Sequence, residues 1–155
     1  MRPELNDDFR DMFACLEEAQ VEYIVVGAHA LAAHGIPRAT GDIDILVRPS
    51  AENSIRVMSA LERFGAPVRS HGVTAADFAR PGNVYQIGLP PRRIDLLTEI
   101  SGVPTERVFA TRMIAQVGSL SLPFIGREAL LENKRAAGRP KDLADVMELE
   151  RAAQR

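Results

Sequence analysis

Three aspartates stand in apolar stretches of the chain, where a charged side chain is unusual. Asp42 and Asp44 alternate with isoleucines in a β-branched run, and Asp95 lies within the apolar run 94–97. Side chains two residues apart in a β-strand point to the same face, so Asp42 and Asp44 are expected to lie side by side. Two ionised carboxylates held that close repel each other and require a positively charged partner. The pattern therefore favours a cation site.

A hard divalent cation suits this chemistry. Mg²⁺ takes oxygen ligands from one or two carboxylates and keeps positions for water and substrate phosphate, and Mn²⁺ accepts the same ligands. A third carboxylate on a neighbouring strand would permit two ions and in-line displacement at phosphorus. Asp95 is the candidate, because an unpaired charge in an apolar strand makes poor structural sense. We therefore predict that Asp42, Asp44 and Asp95 are the metal ligands and the catalytic residues.

An isolated Asp-x-Asp pattern favours a plainer interpretation, in which Asp42 caps a turn and Asp44 lies on a wet strand face. The surrounding residues change that balance. Gly27 ends the apolar run 23–26 and precedes the pair by about fifteen residues. A glycine between a strand and a helix lets the backbone approach a phosphate, and the helix N-terminus favours the negative charge. Gly27 alone is weak evidence for a phosphate site. The stronger evidence is the order along the chain, in which the strand and Gly27 precede the acidic pair.

The elements that must position these residues follow from hydrophobic periodicity and from glycine and proline breakers. Predicted helices cover 6–20, 28–34, 50–64, 74–78, 105–110, 127–137 and 140–153, and predicted strands cover 23–26, 42–47, 84–89, 93–97, 115–118 and 120–125. Helix and strand alternate and then mix, which predicts an α/β (α+β) fold with a mixed β-sheet flanked by helices. The chain is predicted to be a single domain over 1–155, with a core at about 20–100 and a C-terminal hairpin and helices at about 105–155.

Composition narrows the function classes. The chain has 155 residues, a net charge of -2 and one cysteine. No global basic field attracts nucleic acid or an anionic membrane, and a disulfide framework is excluded. No apolar run approaches the ~20 residues of a membrane span, and the first ten residues lack the apolar core of a signal peptide. We expect a cytoplasmic protein without a membrane partner.

The segments 26–31 (VGAHAL) and 34–45 (HGIPRATGDIDI) resemble the nucleotidyltransferase superfamily with the DNA polymerase β-like fold. The likeness is greatest to the small bacterial Abi-type (AbiEii/AbiGii toxin-like) branch, with its strand–Gly–Gly/Ser–helix and Arg-x-Thr-x-Asp-Ile-Asp patterns. The tail 132–145 (ENKRAAGRPKDLAD) is similar to the C-terminal signature of that branch. Only about 51–92 lacks a specific match.

The resemblance implies an NTP donor, Mg²⁺ as cofactor, and transfer of a nucleoside monophosphate to a hydroxyl acceptor with release of pyrophosphate. It implies a phosphate-turn role for Gly27 and Ala28, metal-ligand roles for Asp42 and Asp44, and a role for Asp95 in deprotonating the attacking hydroxyl. The family turn usually has Gly or Ser after the first glycine. Ala28 keeps the backbone N–H but lacks a hydroxyl, so a side-chain contact to phosphate is lost.

Further side chains could contact the nucleotide. Arg38 is predicted either to clamp a phosphate or to pair with Asp42 in the empty site. Thr40 lies near the expected triphosphate, although a turn or strand-entry hydroxyl is its simpler interpretation. Lys134 and Lys141 are favoured as nucleotide or acceptor contacts over a solvated helix junction. A triphosphate needs nearby cations, and the resemblance places this motif beside the nucleotide.

Other polar residues of these segments have structural interpretations. Asp142 and Asp145 are predicted to cap the last helix and to pair with arginines. His29 and His34 have no acidic or cysteine partner at ligand spacing. Packing or capping is therefore favoured for both histidines over metal binding.

The leading hypothesis is an enzyme that moves a nucleoside monophosphate from an NTP to a tRNA, a protein or a small molecule. It includes a role as the toxin-like half of a toxin–antitoxin or phage-defence pair, with an antitoxin-like partner. A catalytically silent nucleotide- or partner-binding module on the same fold is the alternative, and Ala28 is its main support. A nucleic-acid-binding adaptor is weaker, because no basic stripe with interleaved aromatics is present.

Overall fold

The computed structural model describes residues 5–38 and 41–154. The predicted contact of Thr40 lies outside the described residues. The helices are α1 (Asp7–Glu18), α2 (Ala28–Ala33), α3 (Ala51–Phe64), α4 (Ala75–Ala79), α5 (Thr105–Ala110), α6 (Arg127–Ala137) and α7 (Pro140–Ala153). The strands are β1 (Tyr23–Val26), β2 (Ile43–Val47), β3 (Val84–Ile87), β4 (Ile94–Leu97), β5 (Met113–Val117) and β6 (Leu120–Phe124).

The strands form one six-stranded mixed sheet in the order β3-β4-β2-β1-β6-β5. The pairs β2–β4 and β1–β6 are parallel, whereas β1–β2, β3–β4 and β5–β6 are antiparallel. The strand that carries Asp44 therefore lies at the middle of the sheet, with the strand that carries Asp95 directly beside it. This agrees with the mixed sheet that the sequence predicts.

Both faces of the central strands are covered. Every residue of β1 is buried, and Asp44 is the only residue of β2 that is not. Apolar runs without alternation are typical of strands packed between two layers. The edge strands β3 and β5 instead alternate between more and less exposed residues. The acidic residue on β2 thus interrupts an otherwise continuous core.

Short polar side chains and glycines fix several helix ends. The Asn6 side chain accepts a hydrogen bond from the N–H of Phe9 at 2.9 Å and begins α1. Ser50 does the same for Asn53 at the start of α3, at 3.1 Å. Gly65 ends α3 in a left-handed conformation that a side chain would disfavour. None of the described helices combines the length and the apolar character needed to cross a membrane.

Asn53 also fixes the strands that lead to the acidic residues. It is buried, and its Oδ1 accepts from the N–H of Glu22 at 2.8 Å. Its Nδ2 donates to the carbonyls of Glu22 and Arg48, each at 3.0 Å. A buried amide with all these bonds made contributes stability and orientation, because each bonding group would be costly to bury alone. Asn53 therefore ties α3 to the chain just before β1 and just after β2.

Five of the six strands differ from the sequence prediction by one or two residues at an end. β2 begins at Ile43, so Asp42 lies in a bend before the strand instead of inside it. β5 begins two residues earlier than predicted, at Met113, and it ends at Val117 because Gly118, with φ 61°, belongs to the turn. Val117 pairs with Leu120 across that two-residue turn, which fixes the hairpin register.

Candidate active site

The register of β2 and β4 places Asp44 directly opposite Asp95. Paired residues of neighbouring strands share a face of the sheet, so the two carboxylates point the same way. Asp95 is 7% exposed and Asp44 is half-buried. The structure therefore brings together two of the three aspartates that the sequence singled out, at the middle of the sheet.

Arg93 joins the third aspartate to this pair. Its Nε donates to Asp95 Oδ1 at 2.8 Å and its Nη2 to Asp95 Oδ2 at 3.2 Å. The same Nη2 lies 3.3 Å from Asp42 Oδ2, and the backbone N–H of Arg93 donates to Asp42 Oδ1 at 3.0 Å. A planar guanidinium that binds one carboxylate through two nitrogens is a strong and well-oriented pair. Arg93 thus holds Asp42 and Asp95 in place.

The sequence analysis did not assign a role to Arg93, although a signal was present. Arg93 is two residues before Asp95, so in extended chain the two side chains share a face. The same alternation that linked Asp42 to Asp44 therefore also applied to Arg93 and Asp95.

The ionisation of Asp44 is the clearest electrostatic feature of this face. Burial and the negative charge of Asp95 raise the pKa of Asp44 to about 6. Arg93 opposes this rise but does not cancel it. A carboxylate with such a pKa is poorly compensated in the protein alone, which is a common property of functional sites.

Gly27 allows the backbone to pass directly beside Asp44. Its φ is 72° and its ψ is -152°, a combination that is essentially restricted to glycine. A Cβ atom at this position would clash with the carboxylate of Asp44. The predicted association of Gly27 with the acidic residues is therefore present as a direct contact. The phosphate-turn roles of Gly27 and Ala28 stay predictions.

Arg38 does not pair with Asp42, which was one of its two sequence interpretations. Its guanidinium pairs with Asp145 of α7 and lies 3.8 Å from Glu148 Oε1. Arg93, not Arg38, pairs with Asp42. Arg38 therefore connects the segment before β2 to the C-terminal helix, and its contact with a phosphate stays a prediction.

Lys134 is buried between α6 and α7. Its Nζ lies 3.4 Å from Asp142 Oδ1 and 3.2 Å from Asp145 Oδ2. Arg139 donates a further bond, from Nε to Asp142 Oδ2 at 2.6 Å. Burial opposes ionisation of Asp142, but Arg139 and Lys134 outweigh it and hold the pKa of Asp142 below its usual value. Lys134 is thus engaged within the protein, as the cation that fastens α7 to α6.

The remaining cations of the tail are exposed. Lys141 lies in the first turn of α7 without burial. The Arg139 side chain is 62% exposed, and its hydrogen bond to Asp142 raises its pKa, with a smaller contribution from the charge of Asp44. Arg139 therefore lies in the field of the acidic face while it caps α7 through Asp142. The predicted capping role of Asp142 is present in this contact.

The donor set favours a divalent cation only in part. Among the described residues, no group of three or more histidine, cysteine, aspartate or glutamate side chains is arranged to hold a metal ion. Arg93 binds Asp42 and Asp95, so this guanidinium supplies the charge that the sequence prediction assigned to a metal. Asp44 and Asp95 stay adjacent, and Mg²⁺ commonly uses one or two carboxylates. These two residues fit such an ion, whereas Asp42 must first leave Arg93.

No protein-family model and no curated protein matches the sequence. Solved structures do match the fold. The antibiotic-resistance factor ANT(2'')-Ia has a TM-score of 0.61 at 15% identity, over 94% of this chain and 80% of that chain. The lincosamide antibiotic adenylyltransferase LnuA, with lincomycin bound, has a TM-score of 0.58 at 14% identity, over 95% and 97% of the two chains.

A third match is TM1012 from Thermotoga maritima, described as a candidate nucleotidyltransferase. Its TM-score is 0.57 at 14% identity, over 94% of this chain and 88% of that chain. The chain therefore has the nucleotidyltransferase fold, with a mixed sheet flanked by helices, and the predicted fold is confirmed. The resemblance to the Abi-type branch stays a prediction.

The close contact of Gly27 with Asp44 predicts a position-specific cost for a side chain. Gly35 also has a positive φ, of 88°, but a Cβ atom there would meet nothing within 4 Å. Gly35→Ala is expected to cost about 1–2 kcal/mol from backbone strain alone. Gly27→Ala should cost at least ~2 kcal/mol more, because overpacking against Asp44 adds to the strain. Urea unfolding of both variants measures the difference, and equal costs would contradict the contact.

The raised pKa of Asp44 predicts that this residue destabilises the metal-free protein. The native state binds the proton more tightly than the unfolded state, so the penalty is absent below about pH 4 and complete above about pH 6. In EDTA at pH 7, Asp44→Asn should therefore raise the free energy of unfolding by ~1–3 kcal/mol. The gain should vanish at about pH 4. A variant that is less stable than the native chain at pH 7 would contradict this electrostatic balance.

The buried position of Lys134 predicts a structural effect that Lys141 lacks. Lys134→Met would leave two carboxylates without their shared cation, and breaking a buried pair typically costs ~3–5 kcal/mol. Lys141→Met should change stability by less than about 0.5 kcal/mol, as is usual at exposed positions. Urea unfolding at neutral pH compares the two variants. Equal stability would show that Lys134 is free to serve a ligand instead.

Proposed function

We propose that this chain transfers a nucleoside monophosphate from an NTP to a hydroxyl acceptor at the face that carries Asp44 and Asp95. The observation that carries the proposal is the parallel register of these two carboxylates, Asp95 buried and Asp44 half-buried, with Gly27 packed against Asp44. The fold likeness to the lincosamide antibiotic adenylyltransferase LnuA supports the same reaction class.

In this proposal, the acceptor oxygen attacks the α-phosphorus and the bond to the β-phosphate oxygen breaks, so that pyrophosphate leaves. Asp95 takes the proton of the attacking hydroxyl, as the resemblance implies. Asp44 and Asp95 would hold Mg²⁺ or Mn²⁺, joined by Asp42 once it leaves Arg93, and the ion would neutralise phosphate charge when bound. The Gly27–Ala28 turn would present its backbone N–H groups to the triphosphate. The absence of a side chain at Gly27 leaves room for the Asp44 carboxylate beside that turn.

Positive side chains near the acidic face have a defined task in this reaction. Arg93 and Arg139 both lie close enough to Asp44 to be affected by its charge. Pyrophosphate carries several negative charges as it leaves, and guanidinium groups bind such oxygens through two nitrogens. We therefore assign to Arg93 and Arg139 the phosphate contacts that the sequence analysis gave to Lys134. Lys141 and Arg38 stay as outer contacts of the same proposal.

A catalytically silent nucleotide-binding module is the second candidate. Two observations favour it: Arg93 binds two of the three proposed metal ligands, and Ala28 provides no hydroxyl to the phosphate turn. Such a module would bind an NTP without releasing pyrophosphate. Binding and turnover must therefore be measured separately.

The proposed biological roles differ in the acceptor of the nucleoside monophosphate. A small-molecule acceptor would match the lincosamide antibiotic adenylyltransferase LnuA, which has the same fold. A tRNA acceptor would match a toxin-like protein of the Abi type with an antitoxin-like partner. The net charge of -2 provides no general attraction for RNA, so we place the small molecule first. A cytoplasmic location is part of this proposal, because the NTP pool is there.

The test combines calorimetry with label transfer. First, each NTP is titrated into the native chain with Mg²⁺ in a calorimeter. The chain is then incubated with α-phosphate-labelled NTP and one candidate acceptor, which is either lincomycin, or an aminoglycoside, or bulk tRNA, or cell lysate. We expect Mg²⁺-dependent binding and labelled acceptor with the native chain, and the loss of both in the Asp44→Asn/Asp95→Asn double variant. The matched control is Glu62→Gln, which neutralises an exposed carboxylate on α3.

Each outcome decides between the candidates. Metal-dependent binding without label transfer or pyrophosphate release would support the silent module. Label transfer that persists in the double variant would place the active site elsewhere. The absence of any NTP binding in the native chain would exclude both candidates.

A further inference from the structure

A cavity of about 620 Å³ lies away from the aspartates. This volume is within the ~300–1,000 Å³ range of small-molecule sites. Its walls come from α1, α2 and four strands, and they are largely apolar. The residues that line it include Phe9, Val25, His29, Ile43, Leu122 and Phe124.

The cavity lies on the opposite face of the sheet from the acidic pair. Ile43 lines it, and Ile43 and Asp44 are consecutive in β2, so their side chains point to opposite faces. Val25 also lines it and pairs with Ile45, whereas Val26 pairs with Asp44. A ligand in this cavity would therefore contact the back of the acidic strand. It would be a second ligand, distinct from the NTP.

His29 contributes its imidazole ring to the wall. The Phe9 ring packs edge-on against the imidazole, with the centroids 5.8 Å apart. The Nε2 atom of His29 is buried, and the backbone groups of Gly41 and Asp42 lie beside the ring. The two rings therefore form an aromatic wall of the cavity.

The charged residues at the cavity are of one sign. Arg38 and Arg92 contribute to its lining, and none of the described lining residues is an aspartate or glutamate. Arg38 forms an ion pair with Asp145 of α7, whereas Arg92 is exposed at the rim of the cavity. An apolar interior with a cationic rim is complementary to a molecule that has an apolar body and a single anionic group.

We propose that this cavity binds a small amphipathic anion, with its apolar body between Phe9 and Phe124 and its anionic group at Arg92. The anion could be an aliphatic or an aromatic acid, because both share this chemistry. The inference is independent of nucleotidyl transfer, since none of the cavity residues belongs to the proposed catalytic set except Arg38, an outer contact.

The test uses 1-anilinonaphthalene-8-sulfonate as an anionic fluorescent probe and N-phenyl-1-naphthylamine as its uncharged analogue. We expect the native full-length chain to bind the anionic probe at one saturable site. Arg92→Ala should weaken the anionic probe by about tenfold, as expected for one charge-assisted contact. The uncharged analogue should bind the native chain and Arg92→Ala equally well.

Filling the cavity provides the positional control. Ala115 lines the cavity, whereas its neighbour Ile114 points to the other face of β5 and is 59% exposed. Ala115→Trp should reduce probe affinity at least about tenfold by occupying the site, and Ile114→Trp should not. Ala32→Phe on α2 fills the same cavity and serves if Ala115→Trp does not unfold cooperatively.

Displacement distinguishes the two sources of the anion. Displacement by decanoate indicates an aliphatic acid, and displacement by 1-naphthoate indicates an aromatic acid. The proposal is overturned if the native chain shows no saturable binding, if Ala115→Trp and Ala32→Phe both bind the probe like the native chain, or if neither acid displaces it. An equal loss of affinity for both probes in Arg92→Ala would also overturn the proposal, because the rim charge would then not select an anion.

Discussion

The repulsion between Asp44 and Asp95 is the constraint around which the site is organised. The parallel register holds both carboxylates on one face of the sheet, in a mostly buried position. Ionised carboxylates in such surroundings need either a proton or a cation. The protein supplies a cation to Asp95, which Arg93 binds through two nitrogens. Asp44 keeps part of the cost, and its pKa is raised to about 6. A stable fold alone would not require this arrangement.

The rest of the core keeps this unfavourable pair in position. Asn53 joins α3 to the ends of β1 and β2 through buried hydrogen bonds. Gly27 brings the β1–α2 turn against Asp44, where a side chain would clash. The ion pairs of Lys134 with Asp142 and Asp145 fasten α7 to α6. The stability of these contacts offsets the cost of the carboxylate pair, as is usual where a site is preorganised for a ligand.

Much of the fold and the acidic pair could be predicted from local sequence patterns, whereas the partners of the cationic side chains could not. Apolar runs and glycines located β1, β2 and β4, and two-residue alternation placed Asp44 on one face. Which cation meets which carboxylate depends on tertiary contacts between distant segments. Arg38 illustrates this, since it is close in sequence to Asp42 yet pairs with Asp145. Lys134 likewise looked available in the sequence but is buried by the packing of α6 against α7.

In the proposed reaction, Arg93 would couple the binding of the metal ion to that of the nucleotide. A metal ion alone must compete with a guanidinium for Asp42 and Asp95, and it leaves Arg93 without a partner. A metal-free triphosphate would meet three carboxylates and be repelled. The metal–triphosphate complex solves both problems, because it brings a cation for the carboxylates and phosphate oxygens for Arg93. The exchange conserves the number of ion pairs, so the affinity for each component depends on the presence of the other.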